Sequence, residues 1–218
     1  GIKRFVWRTQ GAGARDSLAT FHSVRDATIQ ILSGKKGPCH VFFGDGLHNL
    51  ATIALDAASN GAFLSGKDLV TDRAFGVLDP YTKAFNMMTE YISLVCSSDI
   101  PYVVFSAWDG REAEGKDAKG KETSRIYPEF PGKLAKKVMG MFSLVLFSGV
   151  TPAAIPGEKP EGWWQLRQDA QVGGAAIKVP VAIQERLPYR VPQDWMALEA
   201  LLTNLAQDKP GQTKKGAK

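Results

Sequence analysis

The run Cys39-His40-Val41-Phe42-Phe43 narrows the fold of this chain more than any other stretch. It is short and almost uniformly apolar, and Gly34, Gly37 and Pro38 separate it from what precedes it, the pattern of a strand covered on both faces. Leu47, Leu50, Ile53, Ala54, Ala57 and Ala58 follow at helical spacing, so the strand feeds straight into a helix. A strand followed at once by a helix is a βα unit, and such units build parallel sheets.

The same logic extends along the chain. Residues 2–8 read as a strand leading into the Gly-rich loop Gly11-Ala12-Gly13-Ala14, and Ser23-Val24-Arg25-Asp26 has the form of a capping box for a helix reaching about Leu32. Asp79-Pro80 opens a long helix with Phe85, Met88, Tyr91, Ile92 and Val95 on its inner face, proline being suited to the first helical turn. Residues 101–107 are the next buried strand, 108–125 a polar loop rich in Gly and Lys, 131–139 a basic helix, 142–147 and 163–167 further strands, and 193–205 the last helix. Residues 60–78 read as an irregular insertion. The order βα-βα-β-α-β predicts a doubly wound α/β domain over residues 1–150, with a mostly parallel sheet between helices. A small β-rich extension over 151–206 and a basic, disordered tail over 207–218 complete the expected layout.

Composition limits the partners. A net charge of +5 favours acidic ones, nucleic acid or nucleotide phosphates, and Lys209, Lys214, Lys215 and Lys218 of the tail carry part of it. Hydrophobic residues at 44% are enough for a packed core without staples. The two cysteines, Cys39 and Cys96, form no disulfide framework, and their apolar surroundings predict buried, reduced thiols in a cytosolic compartment. No apolar run reaches the roughly 18 residues of a membrane span, and no signal segment follows the opening Gly-Ile-Lys-Arg.

Asp45 is the strongest candidate for chemistry. An acid at the carboxyl end of a buried parallel strand faces the crevice where ligands bind, and there it can meet a magnesium ion carried on nucleotide phosphates, the Walker B arrangement. The alternative is that Asp45 caps the helix that follows it. Other features are weaker. Gly110 to Lys116 and Gly115 to Lys121 both satisfy G-x₄-G-K, but Asp117 or Glu122 stands where a hydroxyl should, and no apolar helix follows, so a charged loop is expected rather than a P-loop. Trp163-Trp164 beside Arg167 could stack on bases or pack within an edge strand. Lys133, Lys136 and Lys137, with Arg125, form either a DNA-facing patch or a solvated helix face. His22, His40 and His48 lack metal-ligand spacing, and no G-x-S-x-G elbow occurs.

Four segments taken together carry a resemblance. Residues 41–60 (VFFGDGLHNLATIALDAASN), 99–108 (DIPYVVFSAW), 127–133 (YPEFPGK) and 177–195 (IKVPVAIQERLP…VPQDW) resemble, in this order, blocks of the RecA-like P-loop ATPases that bacteriophages encode. The resemblance spans about residues 23–205. It implies a RecA-like core, binding of ATP and Mg²⁺, and a role in phage DNA replication or recombination as a homo-oligomer on single-stranded DNA in the host cytoplasm. It also implies that Asp45 is the magnesium-directed acid, Ser106 a polar residue of the sensor strand, and Lys133 or Arg125 a phosphate or neighbour contact. Three departures accompany it. Gly46 stands where the family carries Ser or Thr after the acid. Gln10 falls where an acidic residue activates the attacking water, which predicts slow hydrolysis. The P-loop itself is missing, which leaves three expectations: that it precedes Gly1, favoured by the missing initiator Met; that another segment or chain fills its place; or that the fold is rearranged into a non-catalytic scaffold.

Overall fold

The computed structural model describes residues 14–63, 66, 79–116, 122–131, 134–155, 157–167, 176–178 and 181–207. The expected strand over 2–8, Gln10, residues 11–13 of the Gly-rich loop, Lys133, most of the 60–78 insertion and residues 208–218 of the tail lie outside the described residues, while Ala14 and Gln207 are helical. In chain order the elements are α1 Ala14–Leu32, β1 Val41–Gly44, α2 Leu47–Ala58, α3 Pro80–Cys96, β2 Tyr102–Phe105, β3 Asp109–Lys116, β4 Glu122–Pro128, α4 Leu134–Met139, β5 Leu144–Val145, β6 Phe147–Thr151, β7 Glu161–Gln165, β8 Ala176–Ile177, α5 Val181–Gln184, β9 Arg190–Pro192 and α6 Trp195–Gln207. They fall into two compact units: the residues up to Gly110 with Pro128–Met141, and Arg111–Tyr127 with the residues from Phe142 onward.

In the first unit, β1 and β2 pair in parallel, Val41 opposite Tyr102 and Gly44 opposite Phe105. This is the parallel pairing that the βα reading predicts. The helices supply the core. Ala51, Ala54 and Leu55 of α2 and Met88, Ile92 and Val95 of α3 are fully enclosed, and the small alanines let neighbouring helices approach closely. Polar ties lock the helices together: Ser17 of α1 donates to the Asp56 carboxylate of α2 at 2.5 Å, and Thr28 of α1 meets the Tyr91 hydroxyl of α3 at 3.2 Å. Burial pushes the Tyr91 phenol above its ordinary value, and the Thr28 hydrogen bond offsets part of that rise. α3 starts as expected, with Pro80 in its first turn and the Asp79 carboxylate accepting from the Thr82 amide at 3.0 Å.

α1 starts at Ala14 rather than at Ser23, so the Ser23 capping box is not a helix start. Ser17, in the stretch before the expected start, is buried and bonded to Asp56. Cys96 is exposed and Cys39 only partly covered, against the expectation of two buried thiols, because both lie at the outer ends of their runs.

In the second unit, β6, β7 and β9 form an antiparallel sheet in the order β6-β7-β9, and β5 pairs antiparallel with β8. Leu166, Leu187, Leu198 and Leu205 form its core, with Trp164, Val191 and Leu202 packed against them. β7 is therefore the central strand of its sheet, and the Trp163-Trp164 pair does not sit on an edge.

The expected charged loop over 108–125 is instead largely strand, β3 and β4 pairing with one another. The Gly, Glu and Lys of β3 have low strand propensity, but Thr123, Ile126 and Tyr127 favour the extended partner β4, and Ile126 is buried there. The described strands thus form four small sheets, parallel in β1–β2 and antiparallel in β5–β8 and β6–β7–β9, rather than one mostly parallel sheet. None closes into a barrel. Among the described residues no helix is long and apolar enough to cross a membrane.

Candidate functional site

The parallel register of β1 and β2 decides which side chains meet. Gly44 lies opposite Phe105, so the residues that follow, Asp45 and Ser106, leave the sheet side by side at its carboxyl end. The Ser106 amide donates to the Gly44 carbonyl at 3.0 Å, carrying the strand pairing one step further. The Ser106 hydroxyl donates a short hydrogen bond to the Asp45 carboxylate and accepts from the Gly46 amide at 2.9 Å. Gly44 is needed for this approach, since a Cβ there would lie 2.5 Å from the Phe105 ring.

The helix after Asp45 is not capped by it. The N-cap position of α2 is Gly46, held at φ 75° and ψ 46°, a residue with no side chain to cap the helix. Ser106 satisfies the amides there instead, its hydroxyl accepting from Gly46 and its carbonyl accepting from Leu47 at 2.8 Å. The capping alternative for Asp45 is thereby overturned, and the carboxylate stands exposed beside the Ser106 hydroxyl.

One turn further, a second pair meets across the same strand ends. His48 is only 7% exposed, and its Nδ1 accepts from the Trp108 amide at 3.3 Å. This bond leaves the proton of the neutral imidazole on Nε2, which is buried and has no hydrogen-bond partner among the described residues. The Trp108 indole stacks on the imidazole, with ring centroids 4.6 Å apart and planes 26° from parallel, yet it is 68% exposed. The Trp108 carbonyl accepts from the Glu129 amide at 2.7 Å, so both backbone groups of Trp108 are tied down. The lack of metal-ligand spacing around His48 in the sequence says nothing of this pairing. The signal lay in the register: residues that directly follow two parallel strands are neighbours, whatever separates them in sequence.

The remaining sequence candidates are distributed as follows. Gln10 and Lys133 lie outside the described residues. Arg125 lies on β4 and Lys136 on α4, their side chains outside the described set. Lys137 of α4 places its ammonium 4.4 Å from the centroid of the Phe85 ring of α3, a cation–π contact within the first unit. In the second unit, Arg190 lies over Trp163 at 3.7 Å, and Trp164 packs edge-on to Trp195 at 6.4 Å. The G-x₄-G-K match starting at Gly110 lies in the extended, paired strand β3, which cannot wrap a phosphate as a P-loop does.

Asp45 and Ser106 offer two hard oxygen donors, which suit Mg²⁺. Among the described residues there is no group of three or more His, Cys, Asp or Glu side chains able to hold a metal alone. A magnesium ion here would therefore arrive with oxygen ligands of its own, as one carried on nucleotide phosphates does. The start of α2 provides no phosphate cradle, because Ser106 already engages the Gly46 and Leu47 amides. Comparison with known protein families, curated proteins and solved structures finds no match to this chain.

Proposed function

We propose that this chain binds ATP with Mg²⁺ at the carboxyl end of β1 and β2, as a RecA-like protein of phage DNA replication or recombination. The observation that best supports it is the hydrogen bond between Ser106 and Asp45 across the ends of two parallel strands. That is where open α/β sheets bind ligands, and where an acid with an adjacent hydroxyl can receive a nucleotide-borne cation. Asp45 would take the ion directly or through water. Ser106, by donating to one carboxylate oxygen, fixes the rotamer of Asp45 and leaves the other oxygen to the metal. The RecA-like topology, the role of Gln10 in slow hydrolysis, and assembly as a homo-oligomer on single-stranded DNA belong to the same reading and rest on the resemblance of the four sequence blocks.

A specific observation favours the scaffold as a second reading. The Gly46 and Leu47 amides at the start of α2 are engaged by Ser106, and Gly46 contributes no hydroxyl, so these groups are not free to cradle a phosphate. Titration calorimetry with ATP separates the two. The nucleotide reading expects binding that requires Mg²⁺ and is weakened at least tenfold in Asp45→Ala. Absence of ATP binding to the folded wild-type chain, with or without Mg²⁺, leaves the scaffold.

A further inference from the structure

We infer that Trp108, backed by His48, is a stacking platform for a nucleobase at the mouth of the Asp45–Ser106 site. The inference deepens the nucleotide reading of that site and takes its position from it. Three observations carry it. The indole is large, apolar and 68% exposed, although a buried, nearly parallel imidazole covers one of its faces at 4.6 Å. An aromatic ring with one face backed and the other open is the geometry that receives a second flat π-system. Trp108 is also preorganised: its amide is held by His48 Nδ1 and its carbonyl by the Glu129 amide. A ligand stacking on it therefore bears little of the entropy of ordering the residue. Finally, the imidazole that backs the indole is itself held in place, buried and bonded through Nδ1 to the Trp108 amide.

Position names the ligand class. Trp108 follows Ser106 by two residues and His48 follows Asp45 by three, so the platform and the candidate cation site are built from the same two strand ends. A ligand that brings phosphates to Asp45 and a flat ring to Trp108 is a nucleotide, free or within a single strand. His48 is a positioning residue here, since its ring lies beneath the indole and not at the ligand face.

The test uses pairs of probes with and without a base. Affinities of the wild-type chain, Trp108→Ala and Trp108→Phe are measured by calorimetry for Mg²⁺-ATP against Mg²⁺-tripolyphosphate, and for oligo-dT against an abasic oligonucleotide of equal length. The exposed position of Trp108 lets the variants keep the fold, which circular dichroism checks. In Trp108→Ala the expected result is a fall of about fivefold or more in the affinity ratio of a base-bearing probe to its baseless counterpart. Trp108→Phe, which keeps a flat ring, should restore most of it. A loss confined to the ATP pair identifies the free nucleotide as the source of the base, and one confined to the oligonucleotide pair identifies a single strand. Unchanged ratios in both pairs, or no binding of either base-bearing probe by the wild-type chain, overturn the inference. Tripolyphosphate binding in Asp45→Ala reads the cation site separately, so the two ideas can fail independently.

Discussion

Asp45 and Asp79 both stand just ahead of a helix, and only one of them caps it. Asp79 accepts from the Thr82 amide and hydroxyl, whereas Ser106 replaces Asp45 at the start of α2. Denaturant melts should separate them. Asp79→Ala is expected to cost about 1 kcal/mol, while Asp45→Ala, at an exposed position with no capping bond, should stay within about 0.5 kcal/mol. An equal loss in both variants would contradict the assignment of Gly46 as the uncapped start of α2. Tyr91 offers a pH signature at the same scale. Its buried phenol is held neutral above the ordinary tyrosine value of 10.0, chiefly by desolvation. Below 10.0 the folded and unfolded states are equally protonated at this group, and its contribution is intact. Above 10.0 the unfolded chain loses the proton first, so stability falls as pH rises towards the higher folded value. Tyr91→Phe should flatten that alkaline fall relative to wild type, and parallel curves would show that Tyr91 does not cause it.

At the scale of elements, helix and strand identities were most legible where periodicity was strong and local. The runs that became β1, α2, α3 and β2 carry long apolar patterns, and Asp79-Pro80 marks the start of α3 with turn chemistry that depends on nearby residues alone. The misreadings share a cause. Ser17 near the beginning of α1 bonds to Asp56, and β3 pairs with β4; both are contacts a sequence window does not contain. Ser17→Ala removes a donor to the buried Asp56 carboxylate and is expected to cost about 1.5–3 kcal/mol, the range for a hydrogen bond to a charged group. A melt unchanged by that substitution would mean α1 is held by apolar contacts alone. The turn between β1 and α2 is equally exacting. Gly46→Ala places a side chain in the left-handed region and should cost about 1–2 kcal/mol, whereas Ala at an exposed, right-handed α2 position such as Asn49 would not.

For the molecule as a whole, the chain is a mixed helix-and-strand protein whose described residues form two compact units, with Asp45, Ser106, His48 and Trp108 gathered where β1 and β2 end. Asp45 could be read from sequence because a strand-end acid has a pattern. The Ser106 bond, and the His48–Trp108 stack beyond it, required the register of two strands far apart in the chain, as the sequence separations of 61 and 60 in the bonds themselves show. The nucleotide reading depends on whether the ends of β1 and β2 receive a magnesium-bearing nucleotide. Calorimetric titration of the purified chain with ATP, in Mg²⁺ and then in EDTA, decides this when wild type and Asp45→Ala are run side by side. A nucleotide site at these strand ends predicts heat of binding in wild type with Mg²⁺ that disappears in EDTA and weakens at least tenfold in the variant. Binding that is indifferent to both Mg²⁺ and Asp45, or no binding at all, would contradict it.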